Sequence, residues 1–69
     1  MQKLDVVAVR VERAKRNWGQ KDLATAARIR PETVSNAEGG KWISLRTTCR
    51  IASALGCPVS RLLTPFTPA

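Results

Sequence analysis

The sequence predicts an all-α domain of five short helices, on three observations. Apolar residues recur at three- and four-residue spacing along most of the chain, which is the period of one helix face. Prolines, glycines and cap-forming residues fall between those segments, where helices start and stop. Residues 19–41, GQKDLATAARIRPETVSNAEGGK, read as two short helices joined by a tight turn. A chain of 69 residues is expected to hold one domain, here residues 1–63, followed by a flexible tail at 64–69.

The first helix is expected over residues 5–16, with Asp5 as its N-cap. Val7, Val9 and Val11 alternate, which also admits a short strand, because β-branched residues favour sheets. The continuation ERAKRNW holds strong helix formers and no turn signal, and that favours the helix. Arg10, Lys15 and Arg16 are expected on its solvated face. The second helix runs from about Gln20 to Ala27, with Leu23, Ala24 and Ala27 on one side. Arg28, Ile29 and Arg30 form the turn. Pro31 brings the fixed φ suited to the start of the third helix, and Glu32 favours its positive end. Val34 and Ala37 face inward, and Gly39 and Gly40 stop the helix after Glu38 through the left-handed C-cap conformation.

Trp42 and Ile43 make a short loop. Ser44 caps the fourth helix, whose inward face is expected to use Leu45, Thr48, Cys49, Ala52 and Leu55 before Gly56 ends it. Pro58 begins a short fifth helix carrying Val59, Leu62 and Leu63. The closing TPFTPA has two prolines and no periodicity, hence the expected loose tail.

Twelve Lys and Arg against five Asp and Glu give a net charge of +7. Such a surplus on a small body raises the local concentration of a polyanion, although charge alone also serves solubility. No apolar run approaches the ~18 residues of a membrane span. The N-terminus lacks the apolar core and cleavage site of a secretion signal, so a cytoplasmic location and no membrane partner are expected. Two cysteines and no histidine cannot furnish an ordinary four-ligand zinc site, so no metal is expected. Cys49 is expected as a buried small hydrophobe and Cys57 as exposed near a subunit interface, without a disulfide. Without histidine, Ser-His and Cys-His nucleophiles are excluded. Glu32 and Glu38 are too far apart for a carboxylate pair, and EGGK ends a helix where a phosphate loop would begin one. The five acids are better explained as helix-terminus and salt-bridge partners. No enzyme, cofactor or small-molecule ligand is expected.

Two closely joined short helices make a helix-turn-helix, and the positive charge around it points to double-stranded DNA. The chain resembles the Cro/cI-type (Xre-like) helix-turn-helix family, which includes many phage repressors. Gln20 with Leu23-Ala24, then Thr33-Val34-Ser35, and the closing Glu38-x-Gly40-Lys41 carry the resemblance. Ser44-Leu45, the run Arg50-Ile51-Ala52-Ser53-Ala54-Leu55-Gly56 and Arg61-Leu62-Leu63 extend it to roughly residues 6–63. The individual motifs are weak; their order and spacing together are specific.

The resemblance implies a five-helix lambda-repressor-like domain whose third helix lies in the major groove. The residues implied to meet bases are Arg30, Pro31, Glu32, Thr33, Ser35 and Asn36. Chemically, Arg30 suits guanine or a phosphate, Glu32 suits cytosine N4, and Asn36 suits adenine N6 and N7. Glu32 has the competing role of helix-dipole partner, and Asn36 that of a solvated late-helix residue. Gln20 is implied to hold phosphate, with Lys21, Lys41 and Arg46 as further candidates. Arg13 and Glu38 occupy positions at which family members join the first helix to the third by a partly buried salt bridge. A homodimer, formed or tightened on DNA, is implied through Cys57, Pro58, Val59 and Arg61, joined by Trp42 and Ile43. Trp42 has competing roles at a phosphate-sugar edge, in the core or in a dimer contact, and packing is favoured for a large aromatic.

Three departures from the family pattern stand out. Arg28 replaces the usual turn glycine; a left-handed arginine costs about 1–2 kcal/mol, which favours another turn geometry. Gly39 stands where an asparagine is frequent, and Glu12 where a leucine is common. The expected function is a sequence-specific transcriptional regulator, a repressor with no room for an effector domain. The alternatives are an antitoxin-like interaction module that represses its own operon, and a non-specific anionic binder of DNA or membrane.

Overall fold

Each helix begins where the sequence offers a cap. A computed structural model describes residues 3–63, ordered α1 (Val6–Lys15), α2 (Gln20–Ala27), α3 (Pro31–Glu38), α4 (Leu45–Leu55) and α5 (Val59–Leu62). The Asp5 carboxylate accepts from the Ala8 N–H at 3.2 Å and starts α1 as a helix rather than a strand. Ser44 Oγ accepts from the Thr47 N–H at 3.1 Å at the head of α4. At α2 the Asp22 carboxylate accepts from the Gly19 N–H at 2.8 Å, one half of a capping box whose other half glycine has no side chain to supply. The expected tail at 64–69 lies outside the described residues.

The helices end by different devices. Asn17 takes a left-handed φ of 56° after α1, a conformation that asparagine enters more readily than most residues. Only Gly40 of the glycine pair is left-handed, at φ 83°, while Gly39 stays at φ −84°. Gly56 closes α4 at φ 65°. Arg28 contradicts the expectation of another turn geometry: its φ and ψ of 59° and 43° lie in the left-handed well. Its neighbours offset the cost, since the Ile29 N–H donates to the Ala24 carbonyl at 3.0 Å and Ile29 packs against the core.

Val9, Leu23, Val34, Ile51, Leu55 and Leu62 form the centre of the core, with Ala24, Ala27, Ala37 and Ala52 where helices approach closely. The inward face of α4 is Thr48, Ile51, Ala52 and Leu55. Leu45 and Cys49 are exposed instead, correcting both placements. The stripe is phased by Ile51, a residue that reading Leu45 and Cys49 as inward leaves on the wrong side. Thr48 is accommodated because its hydroxyl donates to the Ser44 carbonyl at 3.1 Å. Leu4, for which the sequence carried no signal, is buried and pairs with Leu63 in an isolated antiparallel bridge. The Asp5 N–H donates to the Leu62 carbonyl at 2.6 Å, so the segment before α1 is tied to the end of α5.

Candidate nucleic-acid interface

Two arginines on α1 determine how α3 is held. Arg13 Nε donates to Glu38 Oε2 at 2.9 Å and Arg13 Nη2 donates to Glu38 Oε1 at 2.7 Å. This fork-to-fork pair is the strong form of a charged hydrogen bond. Its remaining terminal nitrogen, Nη1, donates to the Trp18 carbonyl at 3.0 Å. The Glu38 side chain is 2% exposed and that of Arg13 15%, and Arg10 Nε lies 3.6 Å from the same carboxylate. Arg16 is not on a free solvated face. It donates to the Glu12 carbonyl and carboxylate at 2.8 and 3.2 Å, and through Nη2 to the Leu55 carbonyl at the end of α4. Hydrogen bonds from Lys15 and Arg16 hold the Glu12 carboxyl below its ordinary range. Glu12 is therefore a paired anion that binds the end of α1 to α4 through Arg16.

With its inner face fixed, α3 presents an outer row. Arg30, its extended N-cap, and Pro31, Glu32, Ser35 and Asn36 are exposed, and Thr33 is half-buried. Glu32 and Asn36 stand four residues apart and so share a face. None of the side chains of Arg30, Glu32, Ser35 and Asn36 has a hydrogen bond or ion pair within the protein among the described residues. Gln20, half-buried, is the first residue of α2; Lys21 beside it, and Lys41 and Arg46 beyond α3, are exposed. Glu38 being buried, Glu32 is the one acidic side chain on the exposed part of α3.

The residues expected at a dimer contact divide. Ile43 is buried in the protomer core and offers little surface, while Trp42 beside it turns out. Trp42 is 58% exposed, with Lys3 Nζ 4.8 Å from its ring centroid; Trp18 is the tryptophan that packs against the core. Cys57 and Val59 are half-buried, and Pro58 and Arg61 exposed. Burial pushes the Cys57 thiol up, and the charge of Glu12 adds to the rise.

A cavity of about 360 Å³ opens between the end of α2 and α4, lined by Ala26, Ala27, Arg28, Arg50, Ser53 and Ala54. It has no wall from α3. At its mouth Arg50 Nη1 donates to the Arg28 carbonyl at 3.1 Å, a tie for which the separate positions of the two arginines carried no signal. Among the described residues no cluster of ligands could hold a metal ion, and no helix is long and apolar enough to cross a membrane.

A family model described as helix-turn-helix matches residues 9–62, a span that contains α2, the turn and α3. That family is all-α and consists of DNA-binding transcription regulators rather than enzymes. No curated protein and no solved structure gives a significant match to the chain.

Proposed function

The chain belongs to the Cro/C1-type helix-turn-helix family of DNA-binding transcription regulators, and from that premise we propose a sequence-specific repressor that reads the major groove with α3. One observation carries the reading. On the outer row of α3 the polar side chains of Arg30, Glu32, Ser35 and Asn36 are exposed and uncommitted within the protein among the described residues, while its inner face is locked by Arg13 and Glu38. A rigid helix with unspent donors and acceptors suits base edges, since they require fixed geometry.

In this reading Arg30, Glu32, Thr33, Ser35 and Asn36 face bases, and Pro31 sets the entry of the helix. Gln20, Lys21, Lys41 and Arg46 hold the phosphates on either side, which fixes register without carrying sequence information. Two copies act together, because one recognition helix reads too few base pairs to find a unique genomic site. Pro58, Val59 and Arg61 form the contact, with Cys57 at its edge, and the two α3 helices lie about 34–36 Å apart. Repression follows from occupancy of the site, within the cytoplasm.

Selection of bound duplexes from a random pool at physiological salt tests this reading. Enrichment of a discrete pseudo-palindromic sequence is expected. Uniform retention of all duplexes, vanishing together as salt rises, would identify a purely electrostatic binder and refute it.

A further inference from the structure

The α2–α3 turn contains a conformation that its residue disfavours, and a tie that holds it there. Arg28 is left-handed at φ 59°, a region in which a Cβ crowds the following carbonyl. Only Arg28, Ile29 and Arg30 separate α2 from α3, so a change in one of their backbone angles re-aims the N-terminal end of α3, the end opposite its Glu38 anchor. The Arg28 carbonyl accepts from Arg50 Nη1 at 3.1 Å, across 22 residues of sequence. Arg50 itself is well anchored, since Ile51 and Ala52 beside it are buried on the inner face of α4.

We propose that Arg50 is a positioning residue for DNA recognition, which locks the left-handed Arg28 and thereby sets the angle of α3. The link to DNA rests on the proposed function; the lock itself does not. A guanidinium holding the carbonyl opposes relaxation of Arg28 towards negative φ, a movement that would re-aim the outer row of α3. The lock matters here because the turn residue is arginine. Glycine at position 28 enters the left-handed well without the Cβ penalty, so it makes the tie dispensable. Arg28 and Arg50 should therefore be coupled in a way that two independent surface cations are not.

The experiment compares wild type, Arg28→Gly, Arg50→Ala, Arg50→Lys and the Arg28→Gly/Arg50→Ala double variant at a temperature where circular dichroism shows each folded. The readout is the ratio of affinity for the selected duplex to that for a scrambled duplex. Loss of one hydrogen bond at the turn is expected to lower that ratio about three- to tenfold in Arg50→Ala. Arg50→Lys, which keeps a cationic donor, should regain most of it, and Arg28→Gly should suppress the loss. Amide exchange at Ile29, without DNA, should accelerate by a similar factor in Arg50→Ala and not in the double variant.

An unchanged ratio in Arg50→Ala overturns the proposal, as does the same loss with and without Arg28→Gly. Equal weakening on both duplexes, with the salt slope reduced by about one, makes Arg50 a phosphate contact and also overturns it. Should wild type prefer no duplex, the proposed function falls, and exchange at Ile29 decides the lock on its own.

Discussion

Arg13→Met is expected to destabilise the domain far more than loss of an exposed cation. It removes two charged hydrogen bonds, of 2.7 and 2.9 Å, from a Glu38 carboxylate that is 2% exposed. Among the described residues the one cation left nearby is Arg10, at 3.6 Å and 65% exposed, where solvent screens it. Breaking one partner of a buried pair costs about 3–5 kcal/mol. In a domain of this size each kcal/mol moves the midpoint by about 4–8 °C, so a loss of at least about 12 °C is expected. The Arg13→Met/Glu38→Leu double variant should regain much of that loss, because an apolar pair of similar volume removes the stranded charge. Thermal unfolding followed by circular dichroism, with Lys21→Met as the exposed control, measures all three. A midpoint for Arg13→Met within a few degrees of the control would refute the reasoning, and so would a double variant no more stable than the single.

Four further outcomes are expected. Because pairing lowers the Glu12 pKa from its ordinary 4.5, its contribution to stability is complete above about pH 4.5 and lost as pH falls through the lowered value; Glu12→Gln should therefore flatten that acid limb in a pH series of unfolding midpoints. Iodoacetamide followed by peptide mass analysis should label exposed Cys49 well before Cys57, whose thiol burial pushes up; equal rates would contradict the placement of Cys49. Glu32→Ala and Asn36→Ala should each cost roughly 1–3 kcal/mol on the selected duplex and relax one or two positions, whereas Lys41→Ala should weaken all duplexes and lower the salt slope by about one. Val59→Asp should abolish cooperative filling of two half-sites at a temperature where circular dichroism shows the variant folded, as sedimentation on one- and two-site duplexes can show; tight specific binding of one protomer to a single half-site would sink the dimer reading.

Local chemistry determined much of this protein before any tertiary contact was known. Asp5, Ser44, Pro31 and Gly56 act within a turn of their own positions, so their caps and stops were legible along the chain. The spacing of Leu23, Ala24, Ala27, Val34 and Ala37 likewise fixed the inner faces of α2 and α3, and hence which α3 residues point outward. The resemblance supplied Arg13 with Glu38, a pair 25 residues apart that no local rule connects.

Only the tertiary structure decided the rest, because those features depend on groups brought together from distant positions. Cys49 and Leu45 fit an apolar stripe on paper, yet Ile51 and Thr48 set the phase of α4 against α2. Trp42 and Ile43 are adjacent apolar residues, and the path of their loop sends one out and the other into the core. Arg16 looks like any exposed cation until the end of α4 arrives beside it. The left-handed Arg28 is the sharpest case: local sterics argue against it, and the contacts of Ile29 with the core and of Arg50 with its carbonyl outweigh them. A sequence states the preferences of each residue, whereas the packed chain sums them, and a small local penalty yields where several long-range contacts oppose it.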